Sequence, residues 1–378
     1  MTPPCHRCGR MRGLSLIELM VALVLGLLLT AAVLQVYLAT KRTFVTQDQL
    51  GQQQEGGRYA LDHIARDLRM AGLFGCASRR LPGQPLPIRN HLADGAYPYD
   101  LTPGVRGYEA VGTAPGQQYD LPATDPPAVS TGTGWAPTLP ARMLADTARL
   151  IAGSDVLVIT GASPVAVPLV DPYTSGAQIF VRTPHDFGAG DILLVTDCLQ
   201  AQIFQATAVS AGGHNITGAA GGPFAPGNGS PIAARGPIGP FRAGAEVSAL
   251  RSHAYYVGVG SDGTPTLFRE RLAHRAGAAA ARVEREELIS GVESMQLLYG
   301  VDPGGNFHAE DYVTADAVSD WQQVRAVRIA LLVRSPGEFA SEADSAVYVL
   351  EGTRINPVDD RRQRRVFSTT VSLRNRLR

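Results

Sequence analysis

From Leu19 to Leu34 the chain reads LMVALVLGLLLTAAVL, without a single charged side chain. Leu14–Ile17 and Gln35–Ala39 extend this run on either side to the ~20 apolar residues a helix needs to cross a bilayer. No other feature constrains the fold as strongly. Inside lipid a segment must satisfy every backbone N–H and C=O internally, so this stretch is a helix, and all that follows must fold in water. One residue breaks the pattern. Glu18 stands near the start of the span, where an unpaired carboxylate costs at least about 2.5 kcal/mol. Arg7, Arg10 and Arg12 precede the span and Lys41 and Arg42 follow it, and the excess on the first side places the N-terminus in the cytoplasm. A secretory signal peptide fits less well, because its apolar core is shorter and ends at a cleavage site rather than in further helix.

Residues 40–71 continue in a helical style. Leu61, Ile64 and Leu68 recur as one apolar stripe, and Arg58, Asp62 and Arg66 are spaced four apart on the other face. Gly51, Gly56 and Gly57 each lower helix propensity by about 1 kcal/mol, which predicts a long helix with a weak or bent middle. Gly72 and Gly75 end it. Beyond that point 41 glycines and 26 prolines in the chain favour many turns and short strands. Residues 77–150 and 210–245 read as loop insertions. Strands are expected at 155–160, 177–181, 191–196, 202–209, 254–257, 266–271, 295–299, 325–334 and 366–373. Val327, Ile329, Leu331 and Val333 should share one face, as should Phe367, Thr369, Val371 and Leu373.

Several motifs fail on their own chemistry. Cys5 and Cys8 form CHRC, but with His6 they fall short of four zinc ligands. Residues 258–263, GVGSDG, satisfy G-x-G-x-x-G yet join two strand-like runs instead of opening a helix, so a hairpin is expected. The turn 302–306 (DPGGN), with Glu310 and Asp311, lacks the alternating ladder of a calcium loop. Arg361, Arg362, Arg364 and Arg365 make a basic cluster with no aromatic platform, so it reads as a solvated face. The formal net charge is zero, so nothing draws the chain to nucleic acid, and no catalytic, cofactor-binding or metal constellation is visible.

The residues at the head of the span carry the sharper signal. Gly13-Leu14-Ser15-Leu16-Ile17-Glu18 resembles the cleavage signal of type IV prepilins. The resemblance implies cutting after Gly13 by prepilin peptidase, N-methylation of Leu14, and pairing of Glu18 with the α-amine of a neighbouring subunit. Further blocks resemble the PilW family of minor pilins: GRYALDHIARDLRMAGLFGC (57–76), GDILLVTDC (190–198), GVESMQLLYGVD (291–302), VRAVRIALLVRS (324–335) and RRVFSTTVSLRNR (364–376). The resemblance implies an α+β, pilin-like fold. It divides the chain into a leader (1–13), a transmembrane helix (14–39), an amphipathic continuation (40–75) and a β-rich periplasmic domain (76–378).

After cleavage Cys76 and Cys198 are the only cysteines, and an even pair in an exported domain predicts a disulfide. The implied function is priming of pilus assembly from the bacterial inner membrane, with a place at the pilus tip afterwards and roles in adhesion and twitching motility. The implied partners are other minor pilins, the major pilin and a PilY-type tip adhesin. No enzymatic activity and no cofactor are expected. The alternatives are a pseudopilin of type II secretion and a membrane-anchored periplasmic binding or adhesin module.

Overall fold

In a computed structural model the described residues are 15–75, 87–100, 103–122, 124, 127–130, 133–141, 143, 149–232, 235–236, 239–273 and 282–376. The chain forms two compact units, Met1–Gly51 and Gln52–Arg378. One α-helix, Leu16–Arg69, runs through the boundary without a break.

In the first unit the large apolar side chains from Leu16 to Leu38 are all exposed. So continuous an apolar surface is not sustained in water, and the helix is long and apolar enough to cross a membrane. Thr30, Thr40, Thr43 and Thr46 each donate their hydroxyl to the carbonyl four residues back, which hides that polar group inside the helix surface.

The second unit carries three principal sheets among its described residues. The largest has twelve strands, centred on Val156–Ser175 and Glu246–Val259, which pair antiparallel. From this pair the sheet runs through Ile192–Thr196 and Ala201–Gln205 to Ile88–Asn90 on one side, and through Pro265–Ala273 to Arg282–Ser290 on another. A four-stranded antiparallel sheet follows in the order Asp311–Val313, Val292–Val301, Val324–Arg334, Arg364–Ser372. A small sheet of Tyr348–Leu350, Thr353–Asn356 and Gln118–Asp120 completes the set.

The end of the helix binds the two larger sheets into one core. Ala60, Ile64 and Leu68 are wholly buried against Leu157, Tyr255 and Leu267 of the large sheet and Met295, Val327 and Leu331 of the four-stranded one. Leu61 sits only at the rim, so the buried stripe is Gln53, Gly57, Ala60, Ile64, Ala65 and Leu68. Val327, Ile329, Leu331 and Val333 share the face toward this core, and so do Phe367, Val371 and Leu373. Period-two alternation was sufficient to find those faces.

Three expectations need correction. The helix is continuous from Leu16 to Arg69, and two of its three mid-helix glycines are set by packing. A Cβ at Gly57 would lie 2.5 to 2.7 Å from ring atoms of Phe367, and one at Gly56 3.3 Å from Ile289 Cγ2, whereas Gly51 has nothing within 4 Å. Gly57→Ala is therefore expected to destabilise the domain by about 1–3 kcal/mol through overpacking. Gly51→Ala should be neutral or stabilise by up to about 1 kcal/mol; thermal unfolding of the detergent-solubilised protein checks both. Residues 77–150 are not merely loop: Val105–Ala110 is a nearly fully buried strand paired with Val156–Ser175, and Ile88–Asn90, Gln118–Asp120 and Trp135–Ala136 are strands too. Residues 210–245 likewise hold the strand Asn215–Thr217. GVGSDG is the expected hairpin, linking Glu246–Val259 to Pro265–Ala273.

Candidate functional site: the anchor and its junction with the domain

The helix starts with a reciprocal cap. The Glu18 carboxylate accepts from the Ser15 backbone N–H at 2.9 Å, and Ser15 Oγ accepts from the Glu18 N–H at 3.2 Å. S-x-x-E is the capping-box spacing, and it satisfies two of the orphan donors of the first turn. Glu18 thus has a local partner that sequence reading missed, although the motif is legible in SLIE. Gly13 and Leu14 lie outside the described residues.

At its other end the helix is fastened by charge as well as by apolar contact. Asp67 Oδ2 lies 2.6 Å from His253 Nδ1 and 3.3 Å from an Arg269 nitrogen, and it accepts from Tyr255 Oη at 2.5 Å. His63, one turn earlier, meets the same Tyr255 hydroxyl at 3.0 Å. Burial raises the Asp67 pKa, but the bonds from His253 and Tyr255 and the Arg269 charge override it and hold the carboxyl at about 2. Asp67 stands far along the chain from His253 and Arg269, which lie on two adjacent strands, so no local motif announced the cluster.

Beyond Arg69 the chain turns into the large sheet. Gly72 N–H donates to Thr160 O at 2.9 Å and Ala162 N–H to Leu73 O at 2.7 Å. Gly75 has a left-handed φ of 59° and is packed so closely that a Cβ would strike Glu246 and come 3.2 Å from Thr196 Cγ2. Thr196 opens the tight turn that carries Cys198, itself at φ 71°. Asp197 holds that turn by accepting from the N–H groups of Leu199, Gln200 and Arg242. Cys198 is disulfide-bonded. Cys76 lies outside the described residues.

A buried acidic pair, Glu109 and Asp155, joins the two larger sheets. Asp155 accepts from the N–H groups of Ala110 and Leu297, both at 2.8 Å. Burial, with the charge of Asp316 nearby, raises Glu109 to about 7, and burial together with Glu109 raises Asp155 well above the carboxylate range. An acid whose folded pKa exceeds its unfolded one binds an extra proton when folded. Its cost is therefore absent below about pH 4.5, grows as pH rises and is full above about 7. Glu109→Gln is expected to stabilise the protein by about 1–3 kcal/mol at pH 8 and by almost nothing at pH 4.5, read by urea unfolding at the two pH values.

The remaining candidates resolve into scaffold. Arg364 is fully buried between Glu293, Asp360 and Asp344, and Arg362 donates to the Ser335 and Pro336 carbonyls, while Arg361 and Arg365 are exposed. Half of the basic cluster is thus core electrostatics and not a solvated face. The Asp302 carboxylate is taken by the N–H groups of Asn306 and Phe307 and by Arg325 Nε, each at 2.9 Å, which occupies the position a cation would need. Among the described residues no group of three or more His, Cys, Asp or Glu could hold a metal ion.

Comparison with known proteins agrees with this geometry. Residues 8–34, which include the capped helix start, match the prokaryotic N-terminal methylation motif. Residues 254–375, which include the four-stranded sheet under the helix, match the type IV pilus-assembly protein W family. Among solved structures, a type IV-like pilin from Thermus thermophilus is similar at 19% identity, over 34% of this chain and 70% of that one, with a TM-score of 0.22. No curated protein matches the chain. The class is therefore a pilin with an N-terminal methylation motif and a membrane-anchoring helix. Within it, the chain is similar to the minor pilins of the PilW type, whose family model matches residues 254–375.

Proposed function

We propose that this minor pilin primes type IV pilus assembly as one member of an inner-membrane complex of minor pilins. Prepilin peptidase cuts after Gly13, Leu14 is methylated, and residues 14–39 hold the protein in the inner membrane. The N-terminus faces the cytoplasm and the domain the periplasm. As helices pack, Glu18 neutralises the α-amine of a neighbouring subunit, so a carboxylate that is costly in lipid alone becomes favourable in the complex. The β-rich domain selects the neighbours: other minor pilins, then major pilin, and a PilY-type adhesin at the tip. The work is assembly rather than catalysis. Cys76 pairs with Cys198, and the approach of Gly75 to Thr196 supports this pairing.

The observation that carries the reading is the joint occurrence, in one chain, of a methylation motif on an apolar helix and a pilus-assembly match on the sheet beneath that helix's end. Deletion of the gene tests it, with surface pili and secreted enzymes scored side by side. Loss of pili with secretion intact is expected. Loss of secretion with pili intact would assign the chain to type II secretion as a pseudopilin.

A further inference from the structure

Outside the helix, residues 227–230 run beside residues 91–93, and the contact assembles a nucleophile, a base and an orienting group. His91 is 2% exposed. Its Nδ1 lies 2.9 Å from Ser230 Oγ and its Nε2 lies 2.7 Å from Gln202 Oε1. Gln202 is wholly buried on the strand Ala201–Gln205, whereas Ser230 is exposed. With Gln202 Oε1 accepting, the imidazole proton resides on Nε2. Nδ1 then presents a lone pair, and the Ser230 hydroxyl donates to it. We propose that Ser230 is a base-activated nucleophile and a site of acylation by an activated ester, with His91 as its general base and Gln202 fixing the imidazole tautomer.

Three further features agree with this assignment. Burial, aided by the charge of Arg89 and opposed by the Gln202 bond, holds the His91 pKa below its ordinary range, so the ring is a neutral acceptor at neutral pH. The loop does not depend on Ser230 for its anchorage. Asn228 is buried and bonds Gln205 N, Gln205 O and Ala219 O at 2.7 to 2.9 Å, and Gly227 and Gly229 N–H groups bond Gln205 Oε1 and His91 O. A rigid loop presenting one exposed hydroxyl to a buried neutral imidazole is the nucleophile–base–orienter arrangement of covalent catalysis. The Ser230 N–H is held loosely, 3.4 Å from His91 O, and can turn to a developing oxyanion.

In the step, Ser230 Oγ bonds to the ester carbonyl carbon as its proton passes to His91 Nδ1. The bond from that carbon to the leaving oxygen breaks, and the imidazolium returns the proton to that oxygen. Ser230 is left as an ester, an alcohol is released, and nothing is oxidised or reduced.

The test uses the full chain in detergent micelles, with a fluorophosphonate probe and p-nitrophenyl acetate, and reads the labelled residue by peptide mass. Ser230 should react about 100-fold faster than Ser210, another exposed serine, which is the low end of general-base acceleration. Ser230→Ala should abolish the label and His91→Gln should slow it by a similar factor. If His91→Gln does not fold, the wild-type rate against pH decides, since it should rise as the imidazole deprotonates and level off below pH 6.5. Labelling of Ser230 no faster than Ser210, or at a rate indifferent to His91 and to this titration, would overturn the proposal.

Discussion

Asp67→Ala should destabilise the domain by about 3–5 kcal/mol, because it removes the shared acceptor of a buried charge network and leaves His253 and Arg269 side by side without it. The carboxylate lost is the shared acceptor of His253, Tyr255 and Arg269, and Arg269 Nε already has no hydrogen-bond partner among the described residues. The loss falls on the helix end that closes the core, where Ile64 and Leu68 are wholly buried, so helix and sheets should loosen together. Asp62→Ala is the control: that side chain is exposed on the opposite face, and its removal should stay within about 0.5 kcal/mol. The wild-type contribution also has a predicted pH window. A carboxyl lowered from 3.8 to about 2 on folding stabilises the protein fully above the unfolded value and is lost as pH falls through the folded one. Thermal unfolding of full-length protein in detergent at pH 7 and at pH 2 measures both effects, and the Asp67→Ala difference should shrink at the lower pH.

Glu18→Ala should leave membrane insertion intact and remove the protein from assembled pili. The capping box complicates that substitution, since alanine loses the bond to the Ser15 N–H along with the charge. A lost cap costs about 0.5–2 kcal/mol, small for a helix of 54 residues whose span is held by lipid. Glu18→Gln separates the roles: glutamine at this position keeps the cap and cannot neutralise an ammonium. Both variants should be absent from sheared pili. Wild-type incorporation of Glu18→Gln would mean that Glu18 serves the helix start and not the neighbouring subunit.

What could be read from sequence followed the reach of each signal. The span, the long helix and the strands at 192–196 and 324–334 are local patterns, and the apolar faces of the strands at 324–334 and 364–372 follow from alternation alone. Arg282–Ser290 escaped because RVEREELIS is a charged run with no alternation, as suits a strand at the edge of a sheet. Val105–Ala110 escaped because it lies in a segment rich in glycine and proline, and its burial comes from the non-local strands Trp135–Ala136 and Val156–Ser175. The helix glycines misled for a related reason. Propensity prices Gly57 as a defect, whereas the ring of Phe367, three hundred residues on, needs the space. The site divides in the same way. Ser15 and Glu18 are three residues apart and legible, while Asp67, His253 and Arg269 meet only once the sheets have formed.

The central claim is that this chain is processed as a prepilin and built into a pilus. Mass spectrometry of its N-terminal peptide, recovered from sheared surface pili, tests that most directly. The expected result is a peptide that begins at Leu14 and carries one added methyl group. A peptide that retains the leader, or a pilus fraction without the protein while the membrane fraction holds it, would contradict the account.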